Sequence, residues 1–97
     1  MDTIAYDFDP KKNAWLIKVR GISFEQIISI LESRGPIDVI EHPNRIKYPN
    51  QKIYIIELLD YIYMVPFVEQ GEKIFLKTAF PNRKAVKKYV NQGDDHD

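Results

Sequence analysis

Between Lys73 and Val90 the chain carries six Lys or Arg residues and no Asp or Glu, although its formal net charge is zero. In a neutral protein such a concentration is a local seat for phosphates, not a general attraction to polyanions. Lys77, Arg83, Lys84, Lys87 and Lys88 supply most of that charge, and Tyr89 follows them directly. A smaller set lies in the loop 41–50, which holds His42, Arg45, Lys47 and Tyr48. These residue types could cleave RNA without a metal. The reaction needs a base for the 2′-OH, a cation for the extra charge on phosphorus and an acid for the 5′ oxygen. Arginine suits the second task, because its planar fork matches two phosphate oxygens. Lys, Tyr or His serves the first or third only where its surroundings move its pKa.

Other chemistries find little support. The two histidines, His42 and His96, stand far apart, and there is no cysteine, so no metal-ligand cluster is expected. No glycine-rich phosphate loop occurs. A serine triad is disfavoured, because Ser23 reads as a helix cap while Ser29 and Ser33 fall within the same helix. The expectation is a site without metal or cofactor.

The elements that must position these residues fit one domain. At 97 residues, folding buries about 60–70% of the extended-chain surface, enough for one modest core. Hydrophobic residues make up 44% of the chain, but none of their runs nears the ~20 residues of a membrane span. Met1-Asp2-Thr3 lacks the basic start of a signal peptide. A cytoplasmic protein without membrane contact is expected, with its domain over residues 1–90 and an acidic tail over 91–97. Asp94, Asp95 and Asp97 make that tail polar enough to fray, and its acids either solubilise the chain or shield the basic run.

Read in order, Ile4–Phe8 alternates as a short strand. Asp9-Pro10 opens a helix, with Asp9 as N-cap and Pro10 at the first helical position, and Gly21 closes it. Ala14, Trp15 and Val19 form its expected buried stripe, widened by Leu16 and Ile17. Ser23 and Gln26 make a capping box for a second helix, with Ile22 and Ile27 as its hydrophobic staple. That helix buries Phe24, Ile27, Ile28, Ile30 and Leu31, and ends by Gly35-Pro36. Strands follow at Ile37–Ile40, Lys52–Leu58, Tyr61–Val68 and Lys73–Phe80. The last two form a hairpin around Gly71, and a basic helix runs from Arg83 to Tyr89. The order β-α-α-β-β-β-β-α indicates the α+β class, a small antiparallel sheet with its helices on one face.

Taken together these pieces resemble the BrnT family of bacterial toxin–antitoxin ribonucleases, which have the RelE-like fold. Phe8-Asp9-Pro10-Lys11-Lys12-Asn13 and Arg20-Gly21-Ile22-Ser23-Phe24-Glu25 stand where members carry their opening segment and their Gly-Val-Ser-Phe-Glu. Arg83-Lys84-Ala85 followed by Val86-Lys87-Lys88-Tyr89 stands where members carry an Arg-Lys-Ala signature and a basic helix reaching a Tyr. The likeness covers nearly all of the chain up to Tyr89. Members commonly have His before the glycine; Arg20 replaces that imidazole by a guanidinium and removes the acid–base option there. The junction Thr78–Asn82 is longer than usual, and the middle loop with His42 and Tyr48 has no counterpart in the family at large.

The resemblance implies a type II toxin, an endoribonuclease that cuts mRNA by 2′-OH attack without metal. Arg83 would be the transition-state cation, and Tyr89, Lys84 or His42 would move protons. Arg20 and Lys77 would hold adjacent phosphates, with Lys87 and Lys88 as further RNA contacts; Arg45, Lys47 and Tyr48 are added as RNA contacts on their residue types alone. It also implies a cognate antitoxin of the ribbon-helix-helix DNA-binding type, through which alone DNA is met. Two rival readings stay open: a non-catalytic module binding RNA or protein, and a scaffold subunit whose basic run is a solvated face.

Overall fold

The computed structural model describes residues 4–82. Helix α1 (Pro10–Arg20) begins where Asp9 accepts from the Lys11 amide, and ends at Gly21, whose φ of 71° is left-handed. Helix α2 (Phe24–Ser33) carries the complete capping box. Its Gln26 amide donates to Ser23 Oγ at 3.1 Å, and the Ser23 amide donates to Gln26 Oε1 at 2.9 Å. Ile22 and Ile27, the expected staple, are both buried in one apolar cluster.

Of the residues expected to be buried on α1, Leu16 alone is. Asn13 and Leu16 turn inward, while Trp15, Ile17 and Val19 stay 39, 52 and 56% exposed. The reason is polar. Asn13 Oδ1 accepts from the Phe24 amide at 2.7 Å, and its Nδ2 donates to Glu25 Oε1 at 2.9 Å. A free amide at the start of a buried helix costs more than an exposed isoleucine, so α1 is rotated to bring Asn13 to α2.

Among the described residues, six strands form one sheet: β1 (Ala5–Phe8), β2 (Asp38–Glu41), β3 (Gln51–Leu58), β4 (Tyr61–Gln70), β5 (Lys73–Leu76) and β6 (Phe80–Pro81). Their order is β1-β5-β4-β3-β2, with β6 also paired to β4. The sheet is mixed, which corrects the antiparallel expectation: β1 runs parallel to β5, Ala5 opposite Lys73 and Phe8 opposite Leu76. Alternation in Ile4–Phe8 specifies a strand but not its direction. With two helices and three strands between β1 and β5, no tight turn forces them antiparallel. The α+β class holds. The expected C-terminal helix, with Arg83, Lys84, Lys87, Lys88 and Tyr89, lies outside the described residues, as does the acidic tail.

Two-residue turns join the central strands. Leu59 and Asp60 both adopt positive φ, 57° and 64°, and close Leu58 onto Tyr61. Gly71, at φ 64°, performs the same service between Gln70 and Lys73. The edge strands carry a shared device. In β1 the Phe8 amide donates to Asp7 Oδ1, and in β2 the Val39 amide donates to Asp38 Oδ1, both at 2.9 Å.

Alternation along the strands sorts the core into two faces. Leu16, Phe24 and Ile27 of the helical layer pack with Tyr54, Ile56, Val65, Phe67 and Leu76 on one face. Ile53, Ile55 and Ile62 are buried on the other, with Ile40 and Met64 against them.

The expected single strand Lys73–Phe80 is broken. Lys77 donates its amide to the Pro66 carbonyl at 2.8 Å, but Pro66 has no N–H to return. The chain leaves the ladder there and rejoins it at Phe80, opposite Met64. From Leu76 to Phe80 is four steps while the facing Phe67 to Met64 is three, so one extra residue is accommodated as a bulge.

Candidate functional site

The bulge is where α1 meets the sheet. Arg20 Nη1 donates to the Ala79 carbonyl at 2.9 Å, satisfying an acceptor that the broken ladder leaves free. The Arg20 guanidinium lies 4.7 Å from the centre of the Trp15 ring, and Lys12 Nζ lies 4.2 Å from it. Arg20, expected to hold a phosphate, is thus half-buried as a strut between helix and bulge.

Lys77 is exposed, its Nζ 5.5 Å from the Phe75 ring. The period of a strand puts Lys73, Phe75 and Lys77 on one side of the sheet. Lys73 is likewise exposed and Phe75 half-buried, so a lysine–aromatic–lysine row faces solvent along β5. Asp7 stands beside Phe75 in register, with Oδ1 accepting from the Phe8 amide.

The loop after β2 forms a separate group. The His42 ring lies 4.5 Å from that of Tyr48, and Lys47 Nζ lies 5.4 Å from the Tyr48 ring. His42 Nδ1 accepts from the Asn44 amide at 3.0 Å, so the neutral ring carries its proton on Nε2. Asn44 Oδ1 and its carbonyl accept from the Lys47 and Tyr48 amides at 3.0 and 2.9 Å, which folds the loop on itself. Arg45 is paired with Glu41 at 3.0 Å on the exposed surface.

His42, Lys47 and Tyr48 therefore come together, but not with Lys77. His42 bonds to Gln51 at the end of β3, and Lys77 to Pro66 of β4 on its far side. From β2 to the line of β5 is three strand spacings, about 14 Å. The loop group brings two proton-carrying side chains, His42 and Tyr48, beside one cation, Lys47, while Lys77 stands apart from them. Arg83, Lys84, Lys87, Lys88 and Tyr89 belong to the undescribed end of the chain.

Two tyrosines of the sheet, Tyr6 and Tyr54, are engaged with each other. Tyr54 is buried and stacked 4.0 Å from Phe67, and burial raises its phenol well above the ordinary value of 10.0. Burial raises Tyr6, its hydrogen-bonding neighbour, as well. Neither can act as a base near neutral pH. A groove of about 270 Å³ opens between α2 and the start of β2, lined by Ile30, Arg34, Gly35, Pro36, Ile37 and Glu57. Arg34 Nη2 reaches across it to the Glu57 carbonyl at 3.4 Å. It contains none of the residues expected to act.

Sequence reasoning passed over Phe75, and it placed Asn13 outside the buried stripe of α1, where the structure buries it. The Lys-x-Phe-x-Lys spacing was a readable signal for the first. For the second, only the partner at Phe24 reveals the need. Among the described residues there is no group of three His, Cys, Asp or Glu that could hold a metal, and no helix long and apolar enough to cross a membrane. No protein-family model, curated protein or solved structure matches the chain.

Proposed function

We propose that this chain binds single-stranded RNA along β5 and cleaves it at the basic segment that follows, as a toxin of the BrnT kind with a RelE-like fold. The observation that supports the reading is the row Lys73, Phe75, Lys77 on a solvent face with two exposed lysines. An aromatic flanked by cations holds a base on the ring and phosphates on either side, an arrangement tolerant of sequence. The chain runs from this row through the bulge to Asn82 and directly into Arg83-Lys84. A strand held by β5 would thereby be delivered to the cation that the resemblance makes the transition-state group.

A non-catalytic RNA-binding role is the second reading. It draws on the separation of His42 from Lys77, which holds the acid–base candidates of the loop three strand spacings, roughly 14 Å, from the row on β5. A cognate antitoxin belongs to the first reading only.

The test is induced expression in a bacterial host of wild type, Arg83→Ala and Phe75→Ala, following growth and RNA 5′ ends, with RNA affinity of the purified proteins measured alongside. Growth arrest and new cuts from wild type, lost in Arg83→Ala while RNA affinity persists, are the expected outcome. Phe75→Ala should weaken affinity by about 1–3 kcal/mol, the usual worth of one stacked base. Salt-sensitive binding without cuts would establish the second reading. Soluble wild-type protein that neither binds nor cuts RNA would refute both.

A further inference from the structure

Among the described residues, the second buried cluster contains no helical side chain. Ile53, Ile55 and Ile62 are 2, 2 and 0% exposed, and the hydrophobic residues packed against them, Ile40 and Met64, belong to the same sheet. Helices α1 and α2 give Leu16, Phe24, Ile27 and Leu31 to the opposite face. Side chains stand roughly perpendicular to a sheet, so neighbours within the layer cannot hide their tips. Burial this complete needs a second layer. We infer that residues 83–90 dock across this face as a helix, with Ala85, Val86, Tyr89 and Val90 on the three isoleucines.

The place where β6 ends chooses the occupant. Asn82 donates its amide to the Ile62 carbonyl at 3.0 Å and its Nδ2 to Met64 Sδ at 2.9 Å, so the chain leaves the sheet beside the patch. Asn is a preferred helix N-cap, and Gly93 is a preferred stop. At about 3.6 residues per turn, Ala85, Val86, Tyr89 and Val90 fall on one half of the circumference. Arg83, Lys84, Lys87 and Lys88 fall on the other half. Eight helical residues reach about 12 Å, and β4 to β2 is two strand spacings, about 10 Å. Asp38 stands opposite Ile55 and Glu57 opposite Ile62, so acids border the patch where cations flank the segment. Other covers fall short. The loop 42–50 leaves its Ile46 96% exposed. Residues 1–3 precede β1, which lies three strands from β3. A second copy is not needed for burial already complete in one chain.

Register puts the row on β5 on this same side, since Phe75 faces Val68 while Ile53 faces Pro66 on the same strand. The docked segment turns its four cations outward and extends that row into one basic surface. Tyr89 becomes an anchor on the sheet instead of a proton carrier. These two consequences rest on the proposed RNA binding; the docking does not.

The test is nuclear Overhauser spectroscopy of the full chain, isotope-labelled in Ile, Val and Tyr, with oligouridylate affinity measured alongside. Contacts are expected from the Val86 and Val90 methyls and the Tyr89 ring to the methyls of Ile53, Ile55 and Ile62. A mixture of labelled and unlabelled chains should show them to be within one molecule. Val86→Asp and Lys87→Asp then place the same carboxylate on opposite sides of the segment. The first should lower the melting temperature by about 10 °C and raise binding of an apolar dye severalfold, and the second should change neither. Missing contacts, or a Val86→Asp no more damaging than Lys87→Asp, would overturn the inference. So would contacts found only between molecules, which would assign the face to a second copy. A wild type that shows the contacts within one molecule but has no affinity for oligouridylate would uphold the docking and refute the RNA reading.

Discussion

Arg20 offers the sharpest test, because a phosphate ligand and a structural strut answer differently to the same substitution. Replacing it by alanine removes one charge-assisted hydrogen bond to the Ala79 carbonyl and the stacking on Trp15. The first is worth about 1.5–3 kcal/mol in general, and the low end applies because Arg20 is only half-buried. The second adds about 0.5–1 kcal/mol. The expected loss is therefore about 2 kcal/mol, a large share of the roughly 5–15 kcal/mol that holds a domain folded. It should lower the melting temperature by about 10 °C at this size. Arg20→Lys is the informative partner. It keeps the charge that a phosphate would feel, but a lysine ammonium cannot both reach Ala79 and lie flat on the indole. Urea denaturation and RNA affinity of both variants decide the matter. Both should be destabilised, Arg20→Lys by at least half as much as Arg20→Ala, and Arg20→Lys should bind RNA as the wild type does. Unchanged stability in both, with RNA affinity lost in Arg20→Ala and kept in Arg20→Lys, would refute the strut and restore Arg20 as a phosphate ligand.

Three further outcomes follow from the geometry. Replacing Leu59-Asp60 by Asn-Gly should raise stability by about 1 kcal/mol in urea melts, since both positions have left-handed φ that a leucine adopts only at a cost. Asn13→Leu should lower it by about 2 kcal/mol, because it leaves the buried Phe24 amide without an acceptor. The Asn13 side chain also donates to Glu25 and so holds that carboxyl below its ordinary value of 4.5. A lowered native pKa gives stability that is present above pH 4.5 and lost as the pH falls through the native value. Acid titration of the urea midpoint should show that decline in wild type and a shallower one in Asn13→Ala.

Much of the fold could be read from local chemistry, and the exceptions share a cause. Asp9-Pro10, Gly21, Ser23 with Gln26, and Gly71 act on their own neighbours, and each does what its type and spacing dictate. The parallel placement of β1, the break after Leu76 and the rotation of α1 depend on partners distant in sequence. Pro66 interrupts a strand that looks continuous in its own right, and Asn13 outranks Trp15 only because Phe24 needs an acceptor. The candidate site divides the same way. His42, Lys47 and Tyr48 are close in sequence and meet in space, whereas Lys77 joins a strand that the sheet order holds apart from them.

The paired aspartates of the outer strands bear on how such a chain lives at high concentration. Val39 in β2 and Phe8 in β1 each give their amide to the preceding carboxylate, so both borders of the sheet have a donor engaged within the strand itself. A newcomer strand would have to break that local bond and approach a negative charge before gaining a ladder. Among the described residues, crowding or overproduction therefore meets one occupied donor and one negative charge on each border. Association is steered away from main-chain pairing, which any extended peptide can offer, towards side-chain surfaces, which only a complementary partner can match.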